Sequence, residues 1–410
     1  MQFKIIFHSN IGGLIMLSNK AKGISPSPTL AIDAKFKEMK ANGEDVVGFG
    51  CGEPDFDTPK HIKDAAIKAI NAGMTKYTPA AGTLDLRKAV AKKFKDENGL
   101  DYAPTDIVIS NGAKHSLVNA FMAILNPGDE VIVPAPFWVS YPEMIKIADG
   151  VPVILNTKEE NDFKAGVEDF EKALSQKTKA IVLNSPSNPT GMVYTEEELR
   201  KIADFAVKHN VYVISDEIYE HLIYEGKHVS IASFNEKIKA LTIVINGVSK
   251  TYAMTGWRIG YAAAAPEIAK IMANIQSHAS SNPNSIAQVA TIAALEGGMA
   301  EVEMMKKHFV ERRDYMIETI NSIDGVSCKK PQGAFYIMMS IKGLIGKEYY
   351  GKIINNSNDF ANLFLEKAKV AVVPGNGFGA DEYVRWSYAT SMENIKEGLE
   401  RLKKLLNNEY

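Results

Sequence analysis

The stretch from Asn246 to Gly260, NGVSKTYAMTGWRIG, sets one lysine and one arginine eight residues apart, directly after the apolar run Leu241 to Ile245. A lysine at the head of a helix is ordinarily solvated surface. Partly desolvated and close to other cations, the same side chain becomes a reagent: its pKa falls toward neutrality, and it can attack a carbonyl or carry a proton. Which of the two Lys250 is depends on what else reaches the same place. Asp216 and Tyr219 stand in SDEIY, Asn184 and Asn188 in NSPSNPTG, Gly112, Ala113 and Lys114 in SNGAK, and Trp138 in PAPFW. A carboxylate that follows an apolar run is costly to desolvate unless it meets a cation or a donor, so Asp216 calls for a positive partner. A helix N-cap would also account for Asp216, though not for its company. A glycine turn running into a helix presents free N–H groups and the positive end of the helix dipole, which suits a phosphate; a plain tight turn with a solvated Lys114 explains those residues equally well. Trp138, one of three tryptophans, offers a flat face for stacking, although core packing is the plainer account of it taken alone.

The elements that must hold these groups can be read from periodicity. Ala180 to Leu183 is a short apolar run ended by turn residues. Thr195 then caps a helix, with Glu198 completing a capping box and Leu199, Ile202, Ala203 and Ala206 on one face, until Asn210 closes it before the run Val211 to Ile214. This is a strand, helix, strand unit with two parallel strands. Similar runs at Ile107 to Ile109, Glu130 to Val133 and Leu241 to Ile245 predict further strands buried on both faces. The prediction is a doubly wound α/β domain with a mostly parallel sheet over residues 59–298. Charged helices and a strand near GAFYIMM form a smaller α+β domain over 299–410, and an N-terminal arm over 17–58 packs with it. In such sheets ligands bind at the carboxyl ends of the strands. There the predicted strands deliver an anion cup, a flat ring, an acid with a phenol and an amide, and a lysine with an arginine. A flat, phosphorylated, nitrogen-containing aldehyde satisfies all of them together.

These residues also carry a family resemblance. GVSKTYAMTGWRIG (Gly247 to Gly260) resembles the pyridoxal-phosphate lysine signature of class I aminotransferases. GEPDFDTP (Gly52 to Pro59), KYTPAAGTLDLR (Lys76 to Arg87), PFWVSYPEM (Pro136 to Met144), NSPSNPTG (Asn184 to Gly191), SDEIY (Ser215 to Tyr219) and RWSYATS (Arg385 to Ser391) resemble the bacterial aspartate aminotransferase subgroup, in order, from about Leu17 onward. The resemblance implies the type I pyridoxal-phosphate transferase fold and pyridoxal 5'-phosphate as cofactor. It implies that Lys250 carries the cofactor and then moves the substrate's α-proton, that Asp216 pairs with the pyridine N–H, and that Tyr219 and Asn188 hydrogen-bond the phenolic oxygen. Trp138 would stack on the ring; Gly112, Ala113, Lys114, Ser249 and Arg258 would hold the phosphate. Arg385 would grip the substrate α-carboxylate, a task suited to a bidentate guanidinium, with Gly52, Trp138 and Asn188 around the substrate. Tyr77 would reach the phosphate of the other subunit's cofactor, implying a homodimer with shared active sites. Members acting on acidic or prephenate-like substrates often carry a basic residue before a Pro-Ser pair in the arm; here Pro26-Ser27 follows Ser25, with Lys20 or Lys22 as substitutes. Aspartate is the first expectation for the donor, then alanine or aromatic amino acids. A C–S lyase of the same fold is the alternative chemistry, and a DNA-binding regulator with a similar domain is disfavoured by the short arm without basic excess.

Composition is consistent with this. A net charge of −2 over 410 residues gives no electrostatic reason to expect nucleic acid or an acidic membrane. Cys51 and Cys328 are the only cysteines, too few for a disulfide framework, and the eight histidines form no metal-spaced cluster, so a reducing cytoplasm and no metal are expected. Ser249 stands where a P-loop requires glycine, and GFGCG at 48–52 lacks the dinucleotide interval. The N-terminus has no cleavage site and no run of about 20 apolar residues. Met16, followed by LSNKAKG, is a candidate start beside Met1, in which case residues 1–16 would be a non-native or disordered extension.

Overall fold

The computed structural model describes residues 17–26 and 28–410; the expectations for residues 1–16, and Ser27 beside Ser25, lie outside them. The centre is a seven-stranded sheet: β1 (Ile107–Ser110), β2 (Glu130–Ala135), β3 (Val151–Asn156), β4 (Thr178–Asn184), β5 (Tyr212–Asp216), β6 (Thr242–Gly247) and β7 (Gly260–Ala263). Its order is β1-β7-β6-β5-β4-β2-β3, with β7 antiparallel to both neighbours and the other six strands parallel. Five of these strands are the predicted ones. The edge strand β3 escapes a search for apolar runs because it is only partly buried. The small residues Gly-Tyr-Ala-Ala of β7 escape it because they carry little apolar bulk. The strand ends thus do not form one unbroken parallel row: β7 separates β1 from β6.

Both faces of the sheet are covered. Val213 and Ile132 join Leu199, Ile202 and Phe205 in one cluster, while Ile214 and Val131 join Leu117, Phe121 and Tyr141 in another. That alternation is what continuous β-branched strands require of a doubly wound fold. The helix Glu196–His209 begins as predicted: Thr195 Oγ1 accepts from the Glu198 amide at 3.2 Å, and Glu198 accepts from the Thr195 amide at 2.7 Å. It ends at Asn210, left-handed with φ 52°.

A second, antiparallel sheet contains β8 (Ser327–Cys328), β9 (Tyr336–Ser340), β10 (Val373–Pro374) and β11 (Tyr383–Ser387), in the order β10-β11-β9-β8. The helices Ala300–Asn321, Ser357–Ala368 and Met392–Leu406 lie with it. The chain before the large sheet also joins here: Val47–Gly48 pairs in parallel with Val370–Ala371, and the Phe49 ring lies 4.6 Å from Trp386. One apolar cluster runs from Tyr219 through Phe335 and Tyr336 to Phe309 and Trp386, so the loops of the large sheet meet the small sheet without a break. Among the described residues no helix is long and apolar enough to cross a membrane.

Candidate active site

Two adjacent strand ends begin the site. Asp216 is the last residue of β5, paired in register with Ile245 of β6, and Lys250 lies in the turn that follows β6. Asp216 is 3 % exposed. Its carboxylate accepts from the Tyr141 hydroxyl at 2.7 Å and from the Ile218 amide at 3.3 Å. Burial pushes its pKa up to about 6 against these two bonds. Among the described residues no lysine, arginine or histidine forms a salt bridge with Asp216; the Lys250 charge acts on it only from beyond contact, as the last of the influences that lower its pKa. No helix follows it, so it is not a cap either. A buried acid facing a cavity with only neutral donors is suited to a cationic ring nitrogen. The Lys250 amine donates to the Gly52 carbonyl at 2.6 Å, and burial lowers its pKa to about 8, with Arg258 and Arg385 acting in the same direction.

A second group of residues forms a cradle for an anion. Gly112 has φ 90° and caps the helix Ala113–Ile124, whose first amides have no intrahelical partner. A Cβ at Gly112 would lie 2.4 Å from Arg258 Nη2, so glycine is what lets the guanidinium lie against the turn. Arg258 donates to the carbonyls of Thr255 at 3.0 Å and Asn111 at 3.3 Å. Gly260 in β7 is equally constrained, since a Cβ there would lie 2.2 Å from the Ala113 nitrogen. Lys114 sits with its amine 4.9 Å from the centre of the Trp138 ring, and partial burial followed by Arg258's charge lowers its pKa. Backbone amides, a helix N-terminus and two cations at one point suit a phosphate.

The small sheet supplies the opposite wall. Arg385 of β11 is 2 % exposed. It donates to Asn188 Oδ1 at 2.9 Å and to the Gly50 carbonyl at 3.0 Å, while its Nε is buried without a partner. Its guanidinium lies 4.5 Å from the Tyr336 ring and 5.0 Å from Phe378. Among the described residues no carboxylate pairs with it. Tyr219 shares a hydrogen bond of 2.9 Å with Tyr336. Burial, and then Tyr336, push the Tyr219 pKa well up, so it remains a phenol able to donate.

A cavity of about 290 Å³ is lined by Gly52, Ala113, Lys114, Trp138, Asn188, Asp216, Tyr219, Ser249, Lys250, Arg258 and Arg385. These are the sequence-derived candidates except Gly112, which lies behind Arg258, and Tyr77, which is 91 % exposed and outside the lining. Lys20, the suggested substitute for a basic residue before Pro26, instead binds Asp149 at the surface. Sequence reasoning missed Tyr141 and Tyr336, which also line the cavity, and named Asn184 at its strand end without giving it a role. Tyr141 was visible as an aromatic four residues beyond Phe137. Asn184, whose side chain joins the Asp216 carbonyl to the Asn188 amide, was visible as a strand-end amide. Tyr336 gave no signal, because its partner is 117 residues away in the chain.

Comparison with known proteins agrees with this geometry. The family model for aminotransferase class I and II matches residues 44–402. An aspartate aminotransferase of Bacillus subtilis is 48 % identical over 391 residues, covering 95 % of this chain and 98 % of its own. An aspartate/prephenate aminotransferase of Nitrosomonas europaea is 47 % identical, with 95 % and 99 % covered. The crystal structure of the Rhizobium meliloti aspartate aminotransferase superposes with a TM-score of 0.93 at 42 % identity, covering 96 % and 99 %. The Thermus thermophilus enzyme with maleate gives 0.91 at 44 %, covering 96 % and 100 %. With an acid awaiting a ring nitrogen, a lysine of lowered pKa, an anion cradle and an unpaired arginine in one cavity, the chain belongs to the class I and II aminotransferases and is a pyridoxal-phosphate-dependent transferase.

Proposed function

We propose that the protein moves the amino group of an L-amino acid, with aspartate as the preferred donor, to a 2-oxo acid such as 2-oxoglutarate. The donor leaves as its 2-oxo acid, and the acceptor leaves as an amino acid. The observation that carries this reading is that Lys250, Asp216 and Arg385 line one cavity. When bound, the cofactor supplies an aldehyde and a ring that draws electrons away from the substrate α-carbon. Asp216 would hold the ring nitrogen in its protonated form, and Tyr219 and Asn188 would bind the phenolic oxygen. The amides of Gly112 and Ala113, with Lys114, Ser249 and Arg258, would hold the phosphate, and Trp138 would cover the ring.

Lys250 would hold the cofactor through its amine and, once freed by the substrate's own amine, would serve as the base that carries the substrate's α-proton. An amine with a pKa near 8 can do both jobs close to neutral pH. Arg385 fixes the α-carboxylate through the donors its neutral partners leave unused, and this orients the C–H bond toward Lys250. Gly52 leaves room beside Tyr336, whose hydroxyl lies 3.1 Å from where a Cβ would stand. The aspartate preference is supported by relatives bearing that name at about half identity over their full length.

Two further features belong to this reading. The exposed apolar side chains Ile67, Ile70, Met74 and Leu84, with the extended Tyr77, support a homodimer in which Tyr77 serves the partner's cavity. The division into an arm to residue 58, a cofactor domain over 59–298 and a smaller domain from 299 follows the change from one sheet to the other. A reducing cytoplasm and a place in amino-acid metabolism fit two cysteines and this chemistry.

The test is an absorption spectrum of the pure protein, titrated with one amino acid at a time. The yellow colour is expected to bleach at the lowest concentration with aspartate and to return with 2-oxoglutarate. Borohydride reduction should fix the cofactor on Lys250. A fixed label elsewhere, or release of pyruvate and ammonia without an acceptor, overturns the reading.

A further inference from the structure

Outside the cavity lining, around Glu220 and His221 of the turn that follows Asp216, lies a largely buried cluster that the chemistry above does not use. Lys93, 4 % exposed on the helix Leu84–Asn98, forms an ion pair with Glu220, 6 % exposed. Asn98 of the same helix accepts from Lys93 at 2.8 Å and donates to the other oxygen of Glu220 at 2.8 Å. Burial raises the pKa of Glu220, but Lys93, His221 and His228 outweigh it and hold the carboxyl well below the usual range. Glu220 is therefore a fixed anion, and its ligands are already complete. His228 reaches it at 3.9 Å while bonding Glu217 at 2.9 Å. These acids and histidines are close enough to suggest a metal site, but Lys93 occupies the place a cation would take.

Two bonds lead from this cluster to the segment that carries Lys250. Glu220 accepts from Asn246 Nδ2 at 2.7 Å, and Asn246 Oδ1 accepts from the Gly247 amide at 2.7 Å. His221, held by Glu97 at 2.9 Å, meets Thr251 Oγ1 at 3.2 Å. Asn246 is 1 % exposed and so is Thr251. The two contacts stand on either side of Lys250, at the end of β6 and at the residue directly after it. Both come from the residues directly after Tyr219, and both are anchored on one helix. The turn bearing Asp216 and Tyr219 and the turn bearing Lys250 are thereby tied together by residues outside the cavity lining.

We propose that Lys93, Glu97, Glu220 and His221 are positioning residues that hold Lys250 in register with Asp216 and Tyr219 through Asn246 and Thr251. The inference rests on the reading that Lys250 carries the cofactor. Its function is geometric: a shift of the Lys250 backbone moves the amine relative to the α-proton and to the ring substituents that set its proton affinity.

The test uses holoenzyme carrying Thr251→Val, which removes the oxygen facing His221 at equal size, and Lys93→Met with Glu220→Gln, which removes both charges together so that neither is left unpaired. The pH at which the colour of the lysine-linked cofactor changes is read for each, beside kcat and KM. The expected result is a midpoint moved by about half a pH unit or more and kcat lowered about tenfold with KM for the amino acid little changed. Restoring the oxygen with Thr251→Ser should return most of the shift. Midpoints and kcat equal to the parent's in both variants, or a loss of thermal stability alone, overturn the proposal. Peptide mapping of the borohydride-reduced parent separately decides whether Lys250 carries the cofactor, so failure of that reading is distinguishable from failure of this one.

Discussion

The Asp216 carboxylate, with only the Tyr141 hydroxyl and the Ile218 amide as donors, is held ready at a cost to the fold. Its folded pKa of about 6 lies above the ordinary 3.8, so the folded apoprotein binds this proton more tightly than the unfolded chain does. The ionised side chain therefore opposes folding above pH 6, and the burden fades as the pH falls from 6 toward 4. Asp216→Asn keeps an oxygen for Tyr141 and is expected to stabilise the apoprotein at pH 8 by about 1–2 kcal/mol, with no gain near pH 4. Pyridoxal phosphate should then raise the melting temperature of the parent more than that of the variant. Denaturant unfolding at both pH values checks the first part, and a variant apoprotein weaker than the parent at pH 8 refutes it. For Lys250 the direction is opposite. Burial lowers its pKa to about 8, so the neutral amine dominates only above that value. The rate at which apoprotein takes up the cofactor should rise with pH and reach half its plateau near pH 8, as followed by colour; a rate independent of pH from 6 to 9 contradicts this.

At the scale of elements, β7 decides whether the anion cradle exists. It pairs Gly260 with Ser110 on one side and Gly247 on the other, so the Gly112 turn and the Lys250 turn both meet a residue without a side chain. Gly260→Ala places a methyl 2.2 Å from the Ala113 nitrogen, against backbone that cannot rotate away. Its expected cost is about 3 kcal/mol or more in stability, with cofactor affinity reduced at least tenfold. Thermal melts and cofactor titration measure both; a variant that binds pyridoxal phosphate like the parent excludes the close approach. The same strand marks the limit of sequence reading. Strands such as Val211 to Ile214 declare themselves because burial on both faces demands an unbroken apolar run. β7 is identified by close packing, where the informative property is the absence of bulk, and a run of small residues says nothing about its direction. The capping box at Thr195 and Glu198 was legible to the residue because both halves are local. The Tyr219 to Tyr336 bond was not, because it joins two sheets.

At the scale of the whole molecule, most residues named from the sequence motifs line one cavity, but the motifs leave the far end of the substrate open. Ser25 offers no charge, its amide is held by Glu143 at 2.9 Å, and Lys20 is engaged with Asp149. Tyr77 raises the complementary question, since its side chain is 91 % exposed and stands outside the cavity lining. If it completes the partner's cavity, Lys250→Ala chains and Tyr77→Ala chains should complement each other. A mixed dimer then holds one intact site, built from the lysine of one chain and the tyrosine of the other. Mixing the two inactive or weakened proteins after co-refolding should restore up to about a quarter of parental activity, taking random pairing of equal-sized pools; no gain over the separate proteins refutes a shared site.

Arg385 has a consequence for what the enzyme will ignore. Its guanidinium is desolvated, propped by the Asn188 amide and the Gly50 carbonyl, and left with its charge unmatched. Only a ligand bearing a full negative charge restores what water gave it. If Arg385 meets the substrate carboxylate as proposed, esters and amides of an otherwise good amino acid leave its charge unmatched and are expected to be poor substrates, as is a residue inside a peptide chain. Small mineral anions, by the same logic, are competitors: sulfate or phosphate in the buffer should weaken apparent substrate affinity without slowing the turnover of enzyme that is already saturated.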